Sequence, residues 1–184
     1  MTRNLLAAAA VVVLGGVAFA AEIKSGPQTG EKVPGPFHPL NVTGEDAGKK
    51  ACLYCKNGEN PVAVVFARTA DDPNVTKLVK ALDKATEQNS KCEMGSFVVY
   101  LSADERLEPK LKDMAQKAGL KKIVLSIESP EGPAPYKISK DADVTVLLYT
   151  ERTVKANYTF EKGKLDDKAI ETIVKDVSKI TPAK

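Results

Sequence analysis

Apolar positions change period several times along the chain, and each change predicts an element. Val62-Ala63-Val64-Val65-Phe66 is a continuous run rich in β-branched residues, the pattern of a strand buried on both faces. Asp71-Asp72-Pro73 then reads as a helix start, with Asp at the cap and Pro at the first helical position. Val75, Leu78, Val79, Leu82 and Ala85 follow at helical spacing. Phe97 to Leu101 predicts a second buried strand. Leu107, Leu111, Met114 and Ala118 predict a second amphipathic helix that stops at Gly119, and Ile123 to Ile127 a third strand.

The C-terminal third has a different rhythm. Val144 to Tyr149 is apolar, and a turn near Thr150-Glu151-Arg152 leads into Val154, Ala156, Tyr158 and Phe160, alternating with Lys155, Asn157 and Thr159. This predicts a hairpin whose last strand has one wet face. Asp166 caps a final helix with Ile170, Ile173, Val174, Val177 and Ile180 on one face. The order is therefore β-α-β-α-β, a β-hairpin and a helix. Right-handed crossovers make the first three strands parallel, and the hairpin adds an antiparallel edge.

The N-terminal region has no such periodicity. Arg3 and the uncharged run Leu5 to Phe19, ending in Ala18-Phe19-Ala20, have the three parts of a signal peptide cleaved before Ala21. The apolar run is about 15 residues, short of the ~20 that span a bilayer. Residues 1–20 are thus expected to be a signal peptide, and the chain periplasmic or secreted with no membrane span after cleavage. Residues 21–50 are rich in Pro and Gly, which favours an irregular extended lead-in. Residues 51–184 form the expected globular domain. Composition adds mainly exclusions. Lys and Arg number 27 and Asp and Glu 24, for a net charge of +3, and they are interleaved, without the basic block that marks nucleic-acid binding.

The lead-in Val33-Pro34-Gly35-Pro36-Phe37, followed by Leu40-Asn41-Val42-Thr43-Gly44, together with the element order, resembles the thioredoxin-like superfamily, nearest its peroxiredoxin and TlpA-like branch. The resemblance runs from about Gly30 to Ile180. It implies an α/β fold: a central mixed sheet of three parallel strands and a C-terminal antiparallel hairpin, flanked by helices. It also implies protein thiols or disulfides as partners and no cofactor. The chain departs from the pattern at the site. In the superfamily the reactive Cys follows the first core strand, at the N-terminus of the next helix. The matching segment here, Ala67 to Asn74, holds no Cys, so peroxidatic chemistry is not carried over. A cis-Pro normally precedes the hairpin strand, but Lys140 to Val144 contains no Pro.

The chemistry on offer is that of three cysteines in a chain expected to be exported. Cys52-Leu53-Tyr54-Cys55 lies before the first core strand, and Cys92 lies before the second. Both positions are at the pole opposite the usual active site, where the three thiols could cluster. Three readings stand side by side. Cys52 and Cys55 form a redox pair with Lys49, Lys50 and Lys56 favouring the thiolate and Cys92 as an extra resolving thiol. Analogy with the first Cys of the family motif makes Cys52 the attacker, and the chemistry itself favours the more exposed sulfur. Alternatively, one of the pair bonds Cys92 in a structural staple around a loop of about 40 residues, contributing about 3–4 kcal/mol. The domain is then a non-catalytic binding or scaffold module. In the third reading the cysteines join His38, the single His, around a soft metal. The sequence leaves the substrate and the oligomeric state open. Asn41-Val42-Thr43, Asn74-Val75-Thr76 and Asn157-Tyr158-Thr159 also match the glycosylation pattern.

Overall fold

The structure, a computed structural model, describes residues 23–182. The expected signal peptide, residues 1–20, lies outside the described residues. Six strands form one sheet in the order β1-β4-β3-β2-β5-β6. They are β1 (Leu40–Asn41), β2 (Val62–Ala67), β3 (Gly95–Leu101), β4 (Val124–Glu128), β5 (Val144–Thr150) and β6 (Thr153–Phe160). β2, β3 and β4 are parallel, β5 and β6 run antiparallel to them, and β1 pairs antiparallel with β4. All six residues of β2 are buried, as the unbroken apolar run predicts for a central strand.

The helices start and stop where local chemistry dictates. In α2 (Pro73–Gln88) the Asp72 carboxylate accepts the N–H of Asn74 at 2.7 Å, and Pro73 occupies the first position, where no N–H is needed. α3 (Leu107–Ala118) ends because Gly119 turns left-handed at φ 66°. α4 (Asp167–Asp176) is capped by Asp166, which accepts the N–H of Ala169. A short helix, α1 (Leu53–Asn57), precedes β2.

Alternate residues of β2 feed two separate cores. Ala63, Val65 and Ala67 pack with α2, α3 and α4 on one face. Val62, Val64 and Phe66 pack on the other with Val33, Phe37, Leu53, Tyr54 and Tyr136. The first face is therefore covered by helices and the second largely by the irregular N-terminal segment and the loop before β5. The aromatic rings of Phe37, Phe66 and Tyr136 fill that second face, with centroids 5.0–6.1 Å apart, within the range of favourable ring contacts.

β6 departs from strict alternation. A bulge pairs Leu148 with Ala156 but Tyr149 with Val154, so Lys155 is the extra residue. Val154 thereby joins the second core, while Ala156, Tyr158 and Phe160 pack on the first. The other face of the strand is only half-exposed. The Asn157 amide donates to the carbonyls of Ser25 and Pro27 at 2.8 Å each, and the lead-in pairs along the strand edge. Gly30 and Val33 donate to Val154 and Arg152, and Val154 donates back to Glu31, all at 2.9 Å. Residues that read as a lead-in thus form one border of the sheet and cover an edge that would otherwise offer unpaired backbone groups.

Candidate functional site

The segment that matches the family's usual active site is Ala67 to Asn74, at the C-terminal end of β2. It is held by Arg68. The Arg68 guanidinium donates to the carbonyls of Ala142, Pro130 and Ser139 at 3.0, 2.8 and 3.0 Å, and its backbone N–H donates to Asp143 at 2.9 Å. These bonds tie the end of β2 to the loop that enters β5. Among the described residues no peptide bond is cis, so the stretch before β5 has neither the Pro nor the geometry the resemblance would supply. Basic side chains at the end of a buried strand are a legible signal, but which carbonyls Arg68 reaches depends on how the loop of residues 129–143 packs. The sequence does not state that.

The opposite pole carries the cysteines. Cys52 and Cys55 are joined in a disulfide with their Cα atoms 5.2 Å apart. Cys52 is the cap of α1, and its Sγ accepts the N–H of Cys55 at 3.0 Å. α1 is anchored by Leu53 and Tyr54, both buried in the second core, with Cys52 packed partly against it. Asn57 donates from its amide to the Leu53 carbonyl at 2.7 Å and rests against Gly95 at the start of β3. A Cβ on Gly95 would stand 1.9 Å from Asn57 Oδ1, so only glycine leaves room. The Arg152 guanidinium lies 5.5 Å above the Tyr54 ring, and Glu59 O accepts the N–H of Glu151 at 2.9 Å. The β5–β6 turn therefore clamps α1 from above.

The charges around the pair differ from the simple expectation of three lysines facing a thiolate. Lys56 Nζ lies 2.7 Å from Glu45 and 3.9 Å from Asp46, so its charge is met by carboxylates. Its hydrogen bond holds the Glu45 carboxyl below the ordinary range. Lys49 and Lys50 are exposed and in no ion pair among the described residues. The two sulfurs themselves are unequal: Cys55 is exposed and Cys52 half-buried. Exposure thus runs opposite to the order of attack implied by analogy with the family motif.

Cys92 does not join the pair. It is free, and its thiol donates to the Asn89 carbonyl at 3.1 Å. It packs partly against the first core, whereas Cys52 packs against the second, so the sheet separates them. The three thiols share a pole but do not cluster, and the staple of Cys92 to Cys52 or Cys55 is not formed. The link through Glu59, Asn60 and Pro61, which shares a groove with Cys92, runs between them. Among the described residues no group of three or more His, Cys, Asp or Glu is placed to hold a metal. His38 is exposed between the buried Phe37 and Pro39, so the Cys/His ligand set is not assembled.

The glycosylation-like asparagines are absorbed by the fold. Asn41 is 1 % exposed, Asn74 donates to Leu165 O at 2.9 Å, and Asn157 is engaged as described above. Among the described residues no helix is long and apolar enough to cross a membrane.

No protein-family model matches the sequence, and no curated protein sequence matches it. Solved structures do. A reduced 2-Cys peroxiredoxin from Plasmodium vivax superposes with a TM-score of 0.60 at 16 % identity, covering 82 % of this chain and 80 % of that one. The thioredoxin domain of a thiol-disulfide oxidoreductase from Bacteroides vulgatus gives 0.58 at 15 %, covering 83 % and 99 %. A secreted disulfide oxidoreductase of Mycobacterium tuberculosis gives 0.57 at 12 %, covering 78 % and 95 %. At such identities the likeness establishes the fold: the sheet and helices of this chain are thioredoxin-like.

Proposed function

We propose that this thioredoxin-fold chain is an exported thiol-disulfide oxidoreductase that works through Cys52 and Cys55. The observation that carries the reading is that these two cysteines bond each other at the surface, with Cys55 exposed, while Cys92 is held apart behind the sheet. A disulfide that closes so short a stretch of chain adds little constraint to the unfolded state compared with one closing a long loop, so structural stapling explains it poorly. An exposed sulfur open to a thiolate is what exchange requires. The partners on this reading are protein thiols, which give up two electrons to the disulfide and leave oxidised. Thiol-disulfide oxidoreductases among the solved structures of like fold support the class of chemistry.

Export rests on residues 1–20, read as a signal peptide, and places the protein in the periplasm or outside the cell, where disulfides persist. The expected division is then a lead-in, 21–50, and a domain, 51–184, with the lead-in adding β1 to the sheet and Val33 and Phe37 to the second core.

The test offers the oxidised protein a reduced dithiol peptide and follows both by mass. The expected result is that the peptide loses two hydrogens while the Ala51 to Lys56 segment gains two, and that Cys92→Ser leaves the rate unchanged. In Cys52→Ser and Cys55→Ser the peptide oxidises no faster than in buffer. A Cys52–Cys55 bond that persists in millimolar dithiothreitol under native conditions overturns the redox reading in favour of a non-catalytic module. For export, the expected mature N-terminus is Ala21, read by intact mass of the protein recovered from the medium or periplasm.

A further inference from the structure

The two sulfurs of the disulfide differ in two independent ways. Cys55 is exposed, and its Sγ makes no hydrogen bond among the described residues. Cys52 is half-buried against Leu53, Tyr54 and the second core, and its Sγ accepts the Cys55 N–H at 3.0 Å. An incoming thiolate must reach the sulfur to which it bonds, and the other sulfur must leave as an anion. The first requirement is met at Cys55. The second is met at Cys52, because an N–H aimed at sulfur favours its thiolate and a thiol of lower pKa leaves faster.

We infer that Cys55 is the interchange sulfur and Cys52 the leaving one, the reverse of the order along the chain that the family analogy implies. This rests on the redox reading of the pair. The substrate thiolate bonds to Cys55 Sγ as the Cys52–Cys55 bond breaks, and that bond's electron pair remains on Cys52 Sγ beneath the Cys55 N–H. The substrate's second thiolate then attacks its own sulfur in the mixed disulfide and releases Cys55 as a thiolate. The substrate dithiol has lost two protons and two electrons and holds a new S–S bond. Cys52 and Cys55 have gained the electrons and take up protons from solvent.

The arrangement also explains the anchoring of α1. Leu53 and Tyr54 fix the helix in the core, Arg152 lies over the Tyr54 ring, and Asn57 holds its far end. Cys52 therefore cannot turn outward without undocking the helix, while Cys55 stands on the solvent side of the same turn.

The experiment mixes the oxidised full chain with 2-mercaptoethanol, quenches with N-ethylmaleimide and digests with trypsin. Cleavage after Lys50 and Lys56 yields one peptide with both cysteines, and cleavage after Lys91 puts Cys92 on another. Tandem mass spectrometry then shows which sulfur carries mercaptoethanol and which the maleimide. The expected result is mercaptoethanol on Cys55 and maleimide on Cys52, in about tenfold excess over the reverse. Mercaptoethanol chiefly on Cys52, or equally on both, overturns the assignment while leaving the redox reading intact. No adduct on either sulfur overturns both. Thiolate absorbance near 240 nm gives a second readout. Cys52 in Cys55→Ser, which keeps the backbone N–H, is expected to titrate below the ordinary thiol value of about 8.5, and below Cys55 in Cys52→Ser. The opposite ranking removes Cys52 as leaving group.

Discussion

The two poles of the sheet answer the same structural problem in opposite ways. Where parallel strands end, the chain must pass into helices and loops, and backbone groups come free. At the C-terminal pole Arg68 takes up three loop carbonyls with one planar guanidinium. At the N-terminal pole the equivalent work is divided among Asn57, Gly95, Arg152 and Glu59, and a disulfide is held at the surface above them. The difference teaches that the two ends of this sheet carry different loads: one arginine holds the end where the superfamily keeps its cysteine, and the cysteine pair of this chain stands at the other.

The largest expected effect separates the poles most cleanly. Arg68→Ala strips three charge-assisted hydrogen bonds from loop carbonyls, two of them partly buried, and should cost about 2–4 kcal/mol, read as a shift in urea midpoint. The rate of exchange at Cys52 and Cys55 should not change below the transition. If that rate changes as well, the poles are coupled and the comparison fails. At the other pole Gly95→Ala drives a Cβ into Asn57 Oδ1 and should cost about 1–3 kcal/mol. Combining it with Asn57→Gly should recover part of that loss, since the clash is with that side chain. An unchanged cost in the double variant shows that the crowding lies in the backbone instead.

A smaller effect, of opposite sign, is expected inside the second core. The Tyr149 hydroxyl is buried without a hydrogen-bond partner among the described residues, and the residue is 1 % exposed. Tyr149→Phe removes a stranded polar group and should raise stability by up to about 1 kcal/mol. A loss on calorimetry shows that the hydroxyl is satisfied in solution.

The smallest effect belongs to Asp143 beside the Arg68 clasp. Burial lifts its carboxyl above the ordinary range, and the charge of Asp72 adds to this while Lys162 and Arg68 oppose it. A folded pKa above the unfolded one means that the associated stability is fully present below the unfolded pKa. It is lost as pH rises through the folded value. Asp143→Asn should therefore raise the melting temperature slightly at about pH 7, with the gain vanishing towards about pH 3, where native Asp143 is itself neutral. A gain that persists in acid points to a cause other than charge.

The expected sheet was legible because its period is strong. Val62 to Phe66 and Phe97 to Leu101 can be little else than buried strands, and Asp72-Pro73 and Asp166 mark helix starts by local chemistry alone. The position of the Cys pair at the unusual pole was legible from its place before β2. Its pairing was not, because which sulfurs meet depends on which face of the sheet each flanking segment packs against. That choice is made by Tyr54 and Leu53 on one side and by α2 on the other. The bulge at Lys155 was hidden for a similar reason, since alternation of residue types carries no record of a skipped partner. The lead-in was read as irregular, and its pairing with β6 is set by partners up to 132 residues away.

Sequence distance also sets a timetable. The Cys52–Cys55 ring closes over a separation of three residues, while the contacts that seat α1 come from the β5–β6 turn, some 91 residues beyond Glu59. Closing a ring that small needs only local chain motion, whereas long-range docking waits for distant strands to arrive. A chain in an oxidising medium is thus free to close the bond before its mount exists. The sheet, once formed, keeps that pairing, because Cys92 arrives against the first core while Cys52 is packed against the second.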